Sequence, residues 1–163
     1  MQLNKSLLII LILTIGLAAP AQAGEATLKH FVSGSYQQLL EKHTGQPVML
    51  VIWATTCSTC MKKMPLLSKL QEDHNDIKII MLSVDELADT KQVQAALVKH
   101  ELTGLENWIF ADENAQRLRY EIDPQWFGEL PRTYFLDSKH QREGISGALS
   151  YEDYQSIFYV LAN

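Results

Sequence analysis

Cysteine is scarce: the 163 residues hold two, Cys57 and Cys60. That excludes the disulfide framework of a small stapled domain. A structural zinc site wants four ligands, and the five histidines (His30, His43, His74, His100, His140) are scattered, none at ligand spacing from the pair. Basic residues are outnumbered, 14 Lys and Arg against 19 Asp and Glu, for a net charge of −5. This balance argues against nucleic acid or an anionic membrane surface as partner. Internal repeats and low-complexity linkers are absent.

The N-terminus has the pattern of an export signal. Lys5 supplies a positive start, and Leu7 to Ala19 is apolar except for Thr14 and Gly16. Ala21-Gln22-Ala23 then matches a small-x-small cleavage site. The expectation is a signal peptide at 1–23, cut after Ala23, and one domain at 24–163. The apolar run is short for a membrane span. An uncleaved anchor is the alternative, and membrane contact is expected only in that case. No cysteine follows the cleavage site to take a lipid. The remaining 140 residues carry 13 basic and 19 acidic side chains, net −6. They suffice for a core without staples.

Both cysteines lie between a β-forming run, 47–53 (PVMLVIW), and a helical pattern from Met61 to about Asn75. The first turn of a helix has N–H groups without intrahelical partners, and its end is positive. A sulfur placed there is stabilised as thiolate, below the free-cysteine pKa of about 8.5. Cys57 is therefore expected at the N-cap, exposed, as the attacking sulfur. Cys60, one turn on and facing inward, is expected to resolve a mixed disulfide. Lys62 and Lys63 add positive potential, and Pro65 predicts a kink. The competing reading is a purely structural bridge, but so short a loop removes little chain entropy.

The rest of the chain reads as alternating elements. A helix over 35–43, capped by Ser33 or Ser35, precedes the first strand. A second strand at 77–84 completes a βαβ unit, so the two strands should be parallel. An acidic loop at 85–89 leads to a helix over 90–102, with His100 as a solvated helix residue and Gly104 as terminator. A strand at 108–111, a helix at 115–120 capped by Asp112 or Asn114, and a loop at 122–129 with exposed-looking Trp126 and Phe127 follow. Strands at 133–136 and 141–145 flank a hairpin turn, and a helix over 150–161 with a Ser150/Asp153 cap closes the chain. Residues 24–32 read as a loose arm or a short edge strand.

Trp53-Ala54-Thr55-Thr56-Cys57-Ser58-Thr59-Cys60 followed by Pro65 resembles the thioredoxin active-site segment. It is most similar to that of the TlpA-like branch of exported thiol–disulfide proteins, W-A-x-W-C-x-x-C-x-x-x-x-P. Leu130-Pro131-Arg132-Thr133-Tyr134-Phe135-Leu136-Asp137 resembles that family's cis-proline segment, x-P-T-T-F-L-I-D. The resemblance implies an α/β thioredoxin-like fold, a central mixed sheet flanked by helices, with a strand–helix insertion at 87–120. It implies a cis peptide at Pro131 beside the sulfurs; a trans proline that merely starts a strand is the alternative. The Leu130 backbone would then pair with an incoming substrate strand. Trp53 would pack beneath the loop. Trp126, Phe127 and Pro131 would floor the groove, with ordinary core packing equally open for the two aromatics.

Departures from the family pattern bear on direction. Thr56 stands where the family usually has Trp, and Ser58-Thr59 separates the cysteines without the common proline. Two hydroxyls beside a thiolate can lower its pKa by hydrogen bonding or can be plain helix-start residues. Val51 stands where thioredoxin has a buried aspartate, and Lys63 where several TlpA-like reductases have a glutamate. Glu129 is the substitute proton acceptor on offer. The resemblance thus implies a periplasmic thiol:disulfide oxidoreductase acting on protein disulfides or dithiols, with no cofactor and no metal. In the reducing direction a membrane thiol transporter would supply electrons, and apocytochrome c thiols are among the substrates. The rivals are an oxidase that installs disulfides and a redox-inert binding module or metal chaperone.

Overall fold

The computed structural model describes residues 25–162. The expected signal peptide lies outside them. Six strands form one sheet: β1 (Leu28–Phe31), β2 (Val48–Trp53), β3 (Ile79–Ser83), β4 (Glu106–Phe110), β5 (Arg132–Leu136) and β6 (Arg142–Ser146). The helices are α1 (Ser35–Lys42), α2 (Ser58–Asp73), α3 (Thr90–Lys99), α4 (Ala115–Ile122) and α5 (Tyr151–Ala162). Strand order is β1-β4-β3-β2-β5-β6. The first four in that order are mutually parallel, and β5 and β6 are antiparallel additions. This is the mixed sheet the resemblance implies, and 87–120 supplies α3, β4 and most of α4.

Period-two alternation splits the core into two layers. From β2, Met49, Val51 and Trp53 face the layer built with Met64, Leu67 and Leu70 of α2, Val93 and Leu97 of α3, and Tyr154 and Phe158 of α5. Val48, Leu50 and Ile52 face the other layer, with Tyr36 and Leu39 of α1 and Leu118 and Ile122 of α4. A strand apolar at every position is what burial on both faces demands, and all six β2 residues are buried.

Several boundaries differ from expectation for identifiable reasons. The N-cap of α1 is Gly34, in the left-handed region at φ 84°, without a side-chain cap. Neither serine does that work: Ser33 Oγ donates to Glu121, and Ser35 Oγ accepts from Val32 N. Helix α2 starts three residues before Met61 and runs unbroken through Pro65, whose ring is exposed. Strand β4 starts at Glu106, ahead of its apolar stretch, because Asn107 is buried with its amide donating to the Leu102 and Leu105 carbonyls. Helix α3 stops before Gly104: Glu101 turns left-handed (φ 58°) and Leu102 N donates back to Leu97 O at 2.9 Å. His100 therefore sits at the helix end, half-buried rather than solvated, and desolvation, then Lys99, lowers its pKa.

Candidate functional site

Strand β2 ends at Trp53, 2 % exposed, and the chain turns at once. Cys57 N donates to Ala54 O at 3.1 Å, closing a turn over 54–57. Cys57 is the N-cap of α2, with extended backbone (φ −83°, ψ 97°). Its Sγ accepts from Cys60 N at 3.1 Å, the bond an N-cap oxygen usually receives. The two sulfurs are joined, S–S 2.09 Å and Cα–Cα 5.2 Å. Their exposure is unequal, as expected in direction: Cys57 is half-buried and Cys60 is 3 % exposed inside the α2/α5 layer.

The Leu130–Pro131 peptide is cis, and Pro131 is buried. Strand β5 pairs Arg132 with Ile52, so Pro131 stands one step further, level with Trp53 where β2 feeds the redox turn. Leu130, half-buried, packs on the same layer as Cys57. Pro131 O accepts from Gly147 N at 2.8 Å, which anchors the segment from behind. Structure and resemblance therefore agree on the juxtaposition of the two motifs.

Two expectations need correction. Trp126 is not exposed: it is 4 % accessible, belongs to the α1/α4 layer, and donates Nε1–H to Glu129 O. Its ring offers little surface to a substrate. Trp53 is buried beneath the turn, as the resemblance implies, and supports the turn instead of presenting a contact surface. Phe127, by contrast, is 86 % exposed, so of the two loop aromatics only this one is presented outward. Glu129 is exposed while Cys60 is buried, which suits it poorly as a proton acceptor for that sulfur.

One residue of the acidic loop has a place in the site that the sequence pattern does not announce. Asp85 is 8 % exposed, just past β3. Its carboxylate accepts from Thr55 N at 2.9 Å, from Thr55 Oγ1 at 2.7 Å and from Ser83 Oγ at 2.6 Å. The signal was present as Ser83-x-Asp85 where a buried strand runs out. A second buried carboxylate, Asp123, sits on the opposite layer. Arg132 and Arg142 donate to it at 3.3 and 3.0 Å, and Tyr134 OH at 3.0 Å. Burial alone would raise its pKa, but the Gln125 N–H, the Tyr134 hydroxyl and the two guanidiniums outweigh it and hold the group below the usual carboxylate value. Arg132 occupies the place of a threonine in the resembled motif. Its charge is thus drawn away behind the sheet.

The chain matches the Redoxin family over residues 18–140. It is 30 % identical, over 77 % of its own length and 69 % of the other's, to the thioredoxin-like protein YneN of Bacillus subtilis. A secreted Mycobacterium tuberculosis disulfide oxidoreductase has a similar structure, with TM-score 0.61 and 18 % identity over 74 % of this chain and 86 % of that one. So does a thioredoxin-family thiol:disulfide interchange protein from Chlorobium tepidum, with TM-score 0.61 and 17 % identity over 75 % and 83 %. At such identities these two structures speak to the fold alone. Family match, curated relative and the joined Cys57–Cys60 pair together give the conclusion: the chain belongs to the Redoxin family and is a thioredoxin-fold thiol:disulfide oxidoreductase.

Proposed function

We propose that the chain is an exported protein-thiol exchange enzyme in which Cys57 is the sulfur that meets the substrate and Cys60 the one that releases it. The observation that carries this reading is the asymmetry of the pair: a half-buried sulfur at a helix N-cap and a partner 3 % exposed behind it. In the reduced state the helix end and the Cys60 N–H favour the Cys57 thiolate. That thiolate attacks a substrate disulfide, and the displaced substrate sulfur leaves as thiolate and takes up a proton. Cys60, giving its proton to solvent, then attacks Cys57 Sγ and frees the second substrate sulfur. Two electrons and two protons pass to the substrate, and the pair is left as the disulfide seen here. The oxidative direction is the same sequence reversed.

The N-terminal signal pattern supports export to the periplasm, where the reductive direction needs a membrane thiol transporter as electron donor. Client proteins in that version include apocytochrome c and other exported chains with wrong disulfides. Leu130 and Pro131, level with Trp53, form the strand-pairing edge for the client backbone. Trapping decides the matter. A Cys60→Ala chain in the exporting cell should accumulate mixed disulfides on Cys57, and Cys57→Ala should accumulate none. The same clients on Cys57→Ala would refute the assignment of sulfurs. The equilibrium with glutathione fixes direction: a potential near −270 mV fits the reductase and one near −120 mV the oxidase.

A further inference from the structure

Parallel pairing between β2 and β3 ends with Trp53 and Ser83, yet Val84 N still donates to Trp53 O at 2.9 Å. At the next step the backbone ladder has run out. The Thr55 N–H points not at a strand carbonyl but at the Asp85 carboxylate, 2.9 Å from Oδ2 and 3.2 Å from Oδ1. Thr55 Oγ1 adds a third contact at 2.7 Å. On its other side the carboxylate accepts from Ser83 Oγ, which in turn accepts from Asp85 N at 3.0 Å.

We infer that Asp85 is a positioning residue of the redox site: its carboxylate stands where a strand carbonyl would, and holds the 54–57 turn so that Cys57 caps α2. The inference rests on the exchange reading above. A carboxylate 8 % exposed is costly unless its oxygens are satisfied, and its donors are neutral groups of the turn and of β3. Thr55 is the first residue inside the turn closed by Cys57 N and Ala54 O. While the disulfide exists, it helps to hold Cys57 in place. Once it is reduced, the sulfur depends on the turn alone to stay 3.1 Å from Cys60 N. Hydrogen bonds weaken steeply with misalignment, so a loosened turn costs the thiolate its stabilisation.

The test uses the full chain and three readouts: rate of reduction of a disulfide-bonded test protein, the Cys57 pKa from ultraviolet thiolate absorbance, and the equilibrium with glutathione. Asp85→Ala should slow exchange about tenfold and raise the Cys57 pKa. It should also shift the equilibrium toward the disulfide by up to about tenfold, about 30 mV. Asp85→Asn, which keeps one acceptor oxygen in place, should recover most of that loss. A folded Asp85→Ala chain with wild-type rate and pKa overturns the inference, and so does an Asn variant as impaired as Ala. Should Asp85→Ala not fold, Thr55→Val removes one donor alone. About threefold slowing supports the clasp and an unchanged rate overturns it. A wild type inert in every exchange assay sinks the exchange reading and the clasp with it; an active wild type matched by Asp85→Ala sinks the clasp alone.

Discussion

A side chain at Gly144 would place its Cβ 2.6 Å from Tyr134 Cε1 and hard against the Arg132 guanidinium. The guanidinium is tethered to Asp123 and Ser146, and the Tyr134 ring is fully buried, so neither can step aside freely. Glycine is required there for close approach rather than for a turn. Gly144→Ala should destabilise the fold by about 1–3 kcal/mol, read as a lower midpoint in urea with an unchanged slope. Residue-scale roles were the least legible in the sequence. The cysteines and Pro131 announced themselves by motif. Trp126 misled because it lies between Pro124 and Gly128, in what reads as open loop; its burial comes from α1 and α4 closing over it. Asp85 looked like one acid among several, since its partners Thr55 and Ser83 come together only when β2 and β3 pair.

Elements were read well where one force dominates. Strand β2 is apolar throughout and β3 is apolar up to its final Ser83, and every residue of both is buried, as strands covered on both faces require. Strand β4 begins earlier than its apolar residues because Glu106 is satisfied by Lys29, remote in sequence, and Asn107 by the carbonyls of the preceding turn, Leu102 and Leu105. The end of α3 shows the same limit. The glycine at 104 looked like the terminator, but the chain bends at Glu101, an exposed residue forced to φ 58°. The left-handed conformation costs a non-glycine residue about 1–2 kcal/mol. Glu101→Gly should therefore raise stability by about 1 kcal/mol once the added freedom of the unfolded chain is deducted, seen as a higher denaturant midpoint. A loss of stability would mean that the Glu101 side chain does something the backbone does not reveal.

At the scale of the whole molecule, one cluster of charge sits at the start of β4, the end of that strand away from the sulfurs. Glu106, with a side chain 5 % exposed at the start of β4, accepts from Lys29 at 2.8 Å, Lys42 at 2.6 Å and Trp108 Nε1 at 3.1 Å. His43 Nε2 lies 3.2 Å away. Burial alone would push its pKa up; the hydrogen bonds and charges of Lys29 and Lys42 overcome this and bring it from 4.5 down to about 2. A depressed folded pKa stabilises the protein above the unfolded value, and that stability is lost as pH falls from about 4.5 through about 2. The ceiling is about 3 kcal/mol, reduced by solvent screening because Lys29 and Lys42 are 42 % and 50 % exposed. Thermal melts should fall steeply over that window, and Glu106→Gln should flatten the acid limb while lowering the melting temperature at neutral pH. An unchanged acid limb in that variant would place the sensitivity elsewhere, with Asp123 next in line.

The redox turn hangs from β2, which lies inside the sheet with β3 on one side and β5 on the other, while β1 and β6 form the margins. Fraying that begins at either rim must consume a neighbour before it touches the thread from which the two sulfurs are suspended. Wear, heat or a clipped terminus should thus erode the periphery first and leave the working end in register until the whole sheet gives way.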